Sequence, residues 1–189
     1  VETGDAFMLR GEMSHGYADT EHMSLVNIMF DPALLRLPFG DLKRLTGYHV
    51  LFRVEPSLRR RNRFRGRLHL SRDRLAEAAQ LVTQLESELT ARKAGFRFMA
   101  CTHLMHLIGH LSRCYSASEA HERQPMFRIG DLLSYLERHY DEPLTTAQLA
   151  GMAAMSESSF SRTFRQVTGR SPIDYLIRTR VARASELLQ

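Results

Sequence analysis

At 189 residues with 43% apolar side chains, the chain is long enough for one or two small domains with true cores, and its composition is globular rather than disordered. Its apolar runs stop far short of the roughly 18 residues that a membrane-spanning helix needs, and no secretory signal is visible in a chain that opens at Val1. The formal net charge of +5 allows an acidic partner without identifying one.

In chain order, residues 1–70 read as β-rich. Short apolar runs of strand length lie at 6–9, 23–30 and 48–54 (YHVLFRV), separated by Gly, Ser and His, the last ended by Pro56. Residues 31–46 read as an irregular or helical connection. The run 58–68 (LRRRNRFRGRL) is densely basic; such runs are more often a solvated face or loop than a phosphate surface.

Residues 71–118 read as a helical pair. Ser71 is a cap, Asp73 lies in the first turn, and Leu75, Ala78, Val82, Leu85 and Leu89 keep 3,4,3,4 spacing. That seam suits either simple core packing or a dimer helix. Gly95 breaks the helix, and a second begins at Phe96. It carries Cys101 and Cys114, too far apart along one helix to pair, as two free thiols of a reducing cytoplasm would be. His103, His106 and His110 share a face, but a metal needs further converging ligands, which Cys101 and Cys114 do not supply from other faces. No metal or cofactor is expected.

A polar linker, 119–126, leads to the third region, 127–189. A helix over 129–140 turns Leu132, Leu133 and Leu136 inward and stops at Asp141-Glu142-Pro143. The next segment, 144–169, reads LTTAQLAGMAAMSESSFSRTFRQVTG. Thr145 and Gln148 form a capping box for a helix over 146–153, with Leu149, Ala150 and Ala153 inside. Ser156 caps a second helix, Gly169 ends it, and Phe160, Phe164 and Val167 recur at helical spacing toward the core. Its other faces carry Ser158, Ser159, Ser161, Arg162, Arg165 and Gln166. Ser and Arg are the residue types that meet bases and phosphates in the major groove, although any amphipathic surface helix also has a polar face.

A third helix follows, with Ser171 as cap, Pro172 in the first turn and an apolar stripe of Ile173, Leu176, Ile177, Val181, Ala184 and Leu188. From 158 to 183 six arginines face one acid, Asp174, whereas residues 125–189 hold eight arginines against seven acids. The positive charge is thus concentrated on the second and third helices, as a nucleic-acid surface requires. No nucleophile–base pair, phosphate-binding glycine loop or zinc spacing appears.

The residues Leu149-Ala150, Met155-Ser156, Phe160-Ser161-Arg162-x-Phe164-Arg165, Thr168-Gly169-x-Ser171-Pro172-x-x-Tyr175-Leu176 and Arg180-Val181-x-x-Ala184-x-x-Leu187-Leu188 closely resemble the DNA-binding domain of the AraC/XylS family of bacterial transcription regulators. Ala154 stands where the family often has glycine, so the turn holds a strained or left-handed alanine. The family domain has two helix–turn–helix units; the second would fall beyond Gln189, which reads as a truncated form with weaker DNA binding.

The resemblance implies an α+β architecture: the C-terminal part of a cupin-like barrel, a helical pair and an all-α helix–turn–helix. Gly4 and His15 match the spacing of a cupin motif, Asp19 falls near its Asn, and Arg10 and Glu12 replace its Pro and Gly. His15 is the ligand-binding candidate. The order of parts resembles regulators of sugar use, the rhamnose-type regulators among them. Carried over residue by residue, the resemblance gives Ser158, Ser161 and Arg162 base contacts and Arg165, Arg170 and Arg178 backbone contacts. The implied partners are double-stranded promoter DNA, a small-molecule effector of sugar type, a second copy through 71–118, and RNA polymerase, in the cytoplasm. The implied role is transcription activation without enzymatic activity. The alternative is a cupin-type metal-dependent enzyme with a helical appendage.

Overall fold

The computed structural model describes residues 2–9, 16, 23–35, 40–54, 68–117 and 125–188. Among them, strand is confined to two dipeptides. Strand β1 (Asp5–Ala6) pairs antiparallel with β2 (Leu68–His69), Asp5 opposite His69 and Ala6 opposite Leu68. Gly4, at φ +97°, continues the junction by accepting from the Leu70 amide at 2.8 Å. Everything else with regular structure is helical. A short helix α1 (Pro32–Leu35) precedes a 3₁₀ turn at Gly40–Arg44, then α2 (Thr46–His49), which runs on as a π turn, Val50–Val54.

These elements correct the expected α+β fold. No cupin-like barrel is formed by the described residues of 1–70. The run 23–30 has no regular secondary structure and joins no ladder with a described strand, and 48–54 is helix, not strand. A short apolar run cannot by itself distinguish a buried strand from a buried helix. Here tertiary contact decides, because α2 and its π turn are gripped from both sides by helices. A Cβ on Gly47 would collide with the Ser112 carbonyl, and one on Gly130 with the Val50 side chain, so glycine lets backbones touch at the first point and makes room for Val50 at the second. Thr46 Oγ1 donates to Asp131 at 2.8 Å, and the Gly47 amide to Ser116 Oγ at 2.9 Å. Between the two, Tyr48, His49, Val50 and Leu51 are buried.

Helices α3 (Arg72–Ala91) and α4 (Phe96–Ser116) form a hairpin, reversed through left-handed Arg92 and Gly95. Leu75, Ala78 and Val82 pack with Leu81 into a core shared with Leu107, Leu111 and Tyr115. The heptad seam is therefore filled largely within one chain, and Leu89 at its end is exposed. His110, on the polar histidine face, is buried: one ring nitrogen lies 2.9 Å from the Arg74 carbonyl and the other 3.0 Å from Glu77. It is a strut between α3 and α4. His103 is half-buried and His106 exposed.

The last four helices are α5 (Pro125–Arg138), α6 (Thr146–Met152), α7 (Glu157–Thr168) and α8 (Pro172–Leu187). Their common core holds Ile129, Leu132, Leu133 and Leu136 of α5, Leu149 and Ala150 of α6, Phe160, Phe164 and Val167 of α7, and Tyr175 and Leu176 of α8. Val54, from the π turn, belongs to the same core. The apolar stripe expected on α8 is only partly right. Pro172, Tyr175, Leu176 and Thr179 face inward, whereas Ile177 and Val181 are 51% and 61% exposed, and Leu188 is more exposed still. Two apolar stripes run along this helix, and the one holding Tyr175 wins because its hydroxyl has buried partners.

Candidate nucleic-acid interface

The short helix α6 begins with a reciprocal cap. The Gln148 amide donates to Thr145 Oγ1 at 3.3 Å, and the Thr145 amide to the Gln148 side chain at 2.8 Å. A tight turn follows, with Ala154 left-handed at φ +51°. The Ala154 amide donates to the Gly151 carbonyl at 2.9 Å, and the Met155 amide to the Ala150 carbonyl at 3.0 Å. Ser156 Oγ then accepts from the Ser159 amide at 3.4 Å to start α7, and Gly169, at φ +75°, ends it. Backbone groups at both ends are thereby satisfied, so the orientation of α7 is fixed by caps and by its buried aromatic face.

With Phe160, Phe164 and Val167 inward, Ser158, Arg162 and Arg165 are exposed on the far side, at i, i+4 and i+7, and Ser161 sits half-buried beside them. The four candidates thus share one outward arc of roughly 100°. Arg162 and Arg165 make no ion pair with any described residue, and exposed guanidinium groups of this kind can grip a guanine edge or a phosphate.

The other candidates are held differently. Arg170 and Arg178 flank one carboxylate, Asp174, at 3.9 and 3.4 Å. Asp174 also occupies the first turn of α8, where its amide donates to Ser171 Oγ at 3.2 Å. These surface pairs are individually weak and give way to a stronger anion.

Two arginines that raised the local charge turn out to be internal. Arg180 donates to the carbonyls of Tyr140 and Glu142, both at 2.6 Å, and so ties α8 to the chain leaving α5. Arg183 lies 3.5 Å from Glu137 and 2.8 Å from Glu186. Charge counting could not separate these from the outward arginines. Glu137 carried a signal: it follows Leu133 by one helical turn, on the stripe that faces the core. It is 5% exposed and accepts from the Tyr175 hydroxyl at 2.9 Å. Burial and the neighbouring Glu137 carboxylate push the Tyr175 phenol well above its ordinary range, partly opposed by Arg53, so it stays a donor.

His15, the ligand-binding candidate, lies outside the described residues, as do Arg10, Glu12, Asp19 and the basic run 58–67. Cys101 and Cys114 are both free thiols, and burial raises the pKa of Cys114.

Helices α6 and α7, joined by a tight turn and backed by α5 and α8, form a helix–turn–helix. Residues 136–176 match the family described as bacterial regulatory helix-turn-helix proteins, AraC family. The whole chain is similar to the HTH-type transcriptional activator RhaR of Klebsiella pneumoniae, 27% identical over 190 aligned positions that cover 64% of that protein. It is similar to the activator RhaS of an Enterobacter species, at 25% identity with the same coverage. A shorter stretch, 39% of this chain and 14% of the relative, is 31% identical to the transcriptional activator Btr of Bacillus subtilis. No solved structure matches the chain. Residues 136–176 therefore form an AraC-type helix–turn–helix, and the chain as a whole is similar to transcriptional activators. It spans 64% of the length of the RhaR and RhaS proteins it matches.

Proposed function

We propose that this chain is the DNA-reading head, with the helices that couple it to a sensor, of a ligand-responsive transcriptional activator. Helix α7 lies in the major groove of promoter DNA. Ser158, Ser161 and Arg162 meet base edges, and Arg165, Arg170 and Arg178 meet phosphates. The observation that carries this reading is the pair Arg162 and Arg165, exposed on the outward arc of a helix capped at both ends and without an ion-pair partner among the described residues. Activation is the sense given by the names of the relatives, and RNA polymerase is then a further partner.

The effector is a small molecule, and sugars are the first class to test, on the resemblance to regulators of sugar use. The protein acts as a homodimer in the cytoplasm. Because the α3 seam is filled by α4, the outer surface of the helical pair, which exposes Phe98 and Met99, is what remains for a second copy. In this reading 1–70, 71–118, 119–126 and 127–189 are successive parts of the chain, and Thr46–Val54 of the first packs against the last.

Footprinting on the DNA flanking the gene, with and without a panel of sugars, tests the reading. Arg162→Ala should weaken binding by about 1–3 kcal/mol and relax the preference at one base position. An unchanged footprint would mean that α7 is not the reading helix.

A further inference from the structure

We infer that Arg53 is a positioning residue for the DNA-reading helix, acting through Tyr175, and that the helical hook Thr46–Val54 couples the α3–α4 hairpin to that helix. The part that concerns DNA rests on the function proposed above. Arg53 lies far outside the helix–turn–helix in sequence, yet its Nη1 donates to the Tyr175 hydroxyl at 2.9 Å, and its guanidinium carbon stands 5.7 Å from the centre of the Tyr175 ring. The Tyr175 ring meets Phe164 of α7 edge-on, with centres 5.6 Å apart and planes at 84°. Two contacts therefore connect Arg53 to the helix whose next residue is the outward Arg165. Val54, beside Arg53, is fully buried in the core that holds Phe160 and Phe164.

The chemistry explains why an arginine stands there. Glu137 is a nearly buried carboxylate, and such a charge needs compensation. Arg183 offers one cation at 3.5 Å. The Tyr175 hydroxyl, donating to Glu137 and accepting from Arg53, carries a second across the interface. The ring is thus oriented from both sides, by α5 and by the hook.

The hook's other side is held by the hairpin. Gly47 crosses α4 in backbone contact at Ser112 and Ser116, and Tyr48 packs with Leu104 and Ile108. At Gly130 the Val50 side chain of the hook fills the space that a Cβ on α5 would need. An element held to α4 by backbone contact at Gly47, and to α5 by Val50 against Gly130 and by the Thr46–Asp131 hydrogen bond, has little slack. A shift of the hairpin reaches Tyr175 as a displacement of Arg53 rather than being absorbed by side chains.

Hydrogen exchange on the full chain tests this without DNA. In Arg53→Met and in Tyr175→Phe, the amides of Glu157–Thr168 should exchange about tenfold faster, as the loss of one charge-assisted hydrogen bond implies. The double variant should add little, and the amides of Arg72–Ala91 should not change. Arg53→Lys, which keeps a cationic donor, should stay close to wild type. Unchanged exchange in Glu157–Thr168, an equal rise in both helices, or additive effects in the double variant would overturn the inference. If Arg53→Met does not fold, Tyr175→Phe, which removes one oxygen, carries the same comparison. Because no DNA is present, failure of the DNA reading and failure of this coupling are separable results.

Discussion

Ala154 sits in the turn between α6 and α7 at φ +51°, a conformation that its Cβ opposes by about 1–2 kcal/mol. Its methyl group is exposed, and the hydrogen bonds of the turn run through backbone atoms, from the Ala154 and Met155 amides to the Gly151 and Ala150 carbonyls. Ala154→Gly therefore removes strain and deletes no buried contact. Glycine's greater freedom in the unfolded chain offsets roughly 0.5–1 kcal/mol of the gain. The net expectation is a stabilisation of about 0.5–1 kcal/mol, or a melting midpoint higher by roughly 2–4 °C per kcal/mol. Urea unfolding reads this as a higher midpoint at unchanged slope. Ala76→Gly, in the exposed middle of α3, is the control and should lose about 1 kcal/mol. If Ala154→Gly loses stability as the control does, the left-handed turn is not the strained element described here.

Three further outcomes follow from the same geometry. Arg170→Gln with Arg178→Gln removes two phosphate contacts, so anisotropy titrations of a duplex against salt should show weaker binding at low salt and a slope shallower by up to about one per arginine removed; an unchanged slope removes both from the phosphate contacts. His49 is fully buried, with its Nε2 2.5 Å from the Lys43 carbonyl, and burial above all lowers its pKa from 6.5 to about 3. The unfolded chain then takes up a proton that the native chain refuses, so stability falls by about 1.4 kcal/mol per pH unit below pH 6.5, down toward pH 3. His49→Gln keeps a donor for Lys43 and should flatten that part of the acid-unfolding profile. Gly130→Ala places a methyl group against Val50 and should lower stability by about 1–3 kcal/mol in thermal unfolding.

What was legible in the sequence was local. Thr145, Gln148, Ser156, Gly169 and Ser171 act within three or four residues of themselves, and all five cap where their types predict. The inward positions of α7 followed from spacing alone. The described residues of 1–70 depart from the expected strands for the opposite reason. YHVLFRV is compatible with strand, and only the close approach of α4 and α5, allowed by Gly47 and Gly130, makes it a buried helix. The same limit applies to charge. Arg162 and Arg180 look alike in sequence, but one points outward and the other is spent on the carbonyls of Tyr140 and Glu142. His110 seemed a polar surface residue until Arg74 and Glu77, a helix away, gave both its nitrogens partners. Arg53 carried no local signal at all, since its role depends on Tyr175, 122 positions later.

The most direct test of the central claim is selection of duplexes from a random-sequence DNA pool by the full chain and by its Arg162→Ala form. The wild type should enrich a defined motif, and Arg162→Ala should lose the preference at one position while keeping the rest. No enrichment by the wild type, or the same motif from both proteins, would contradict the claim.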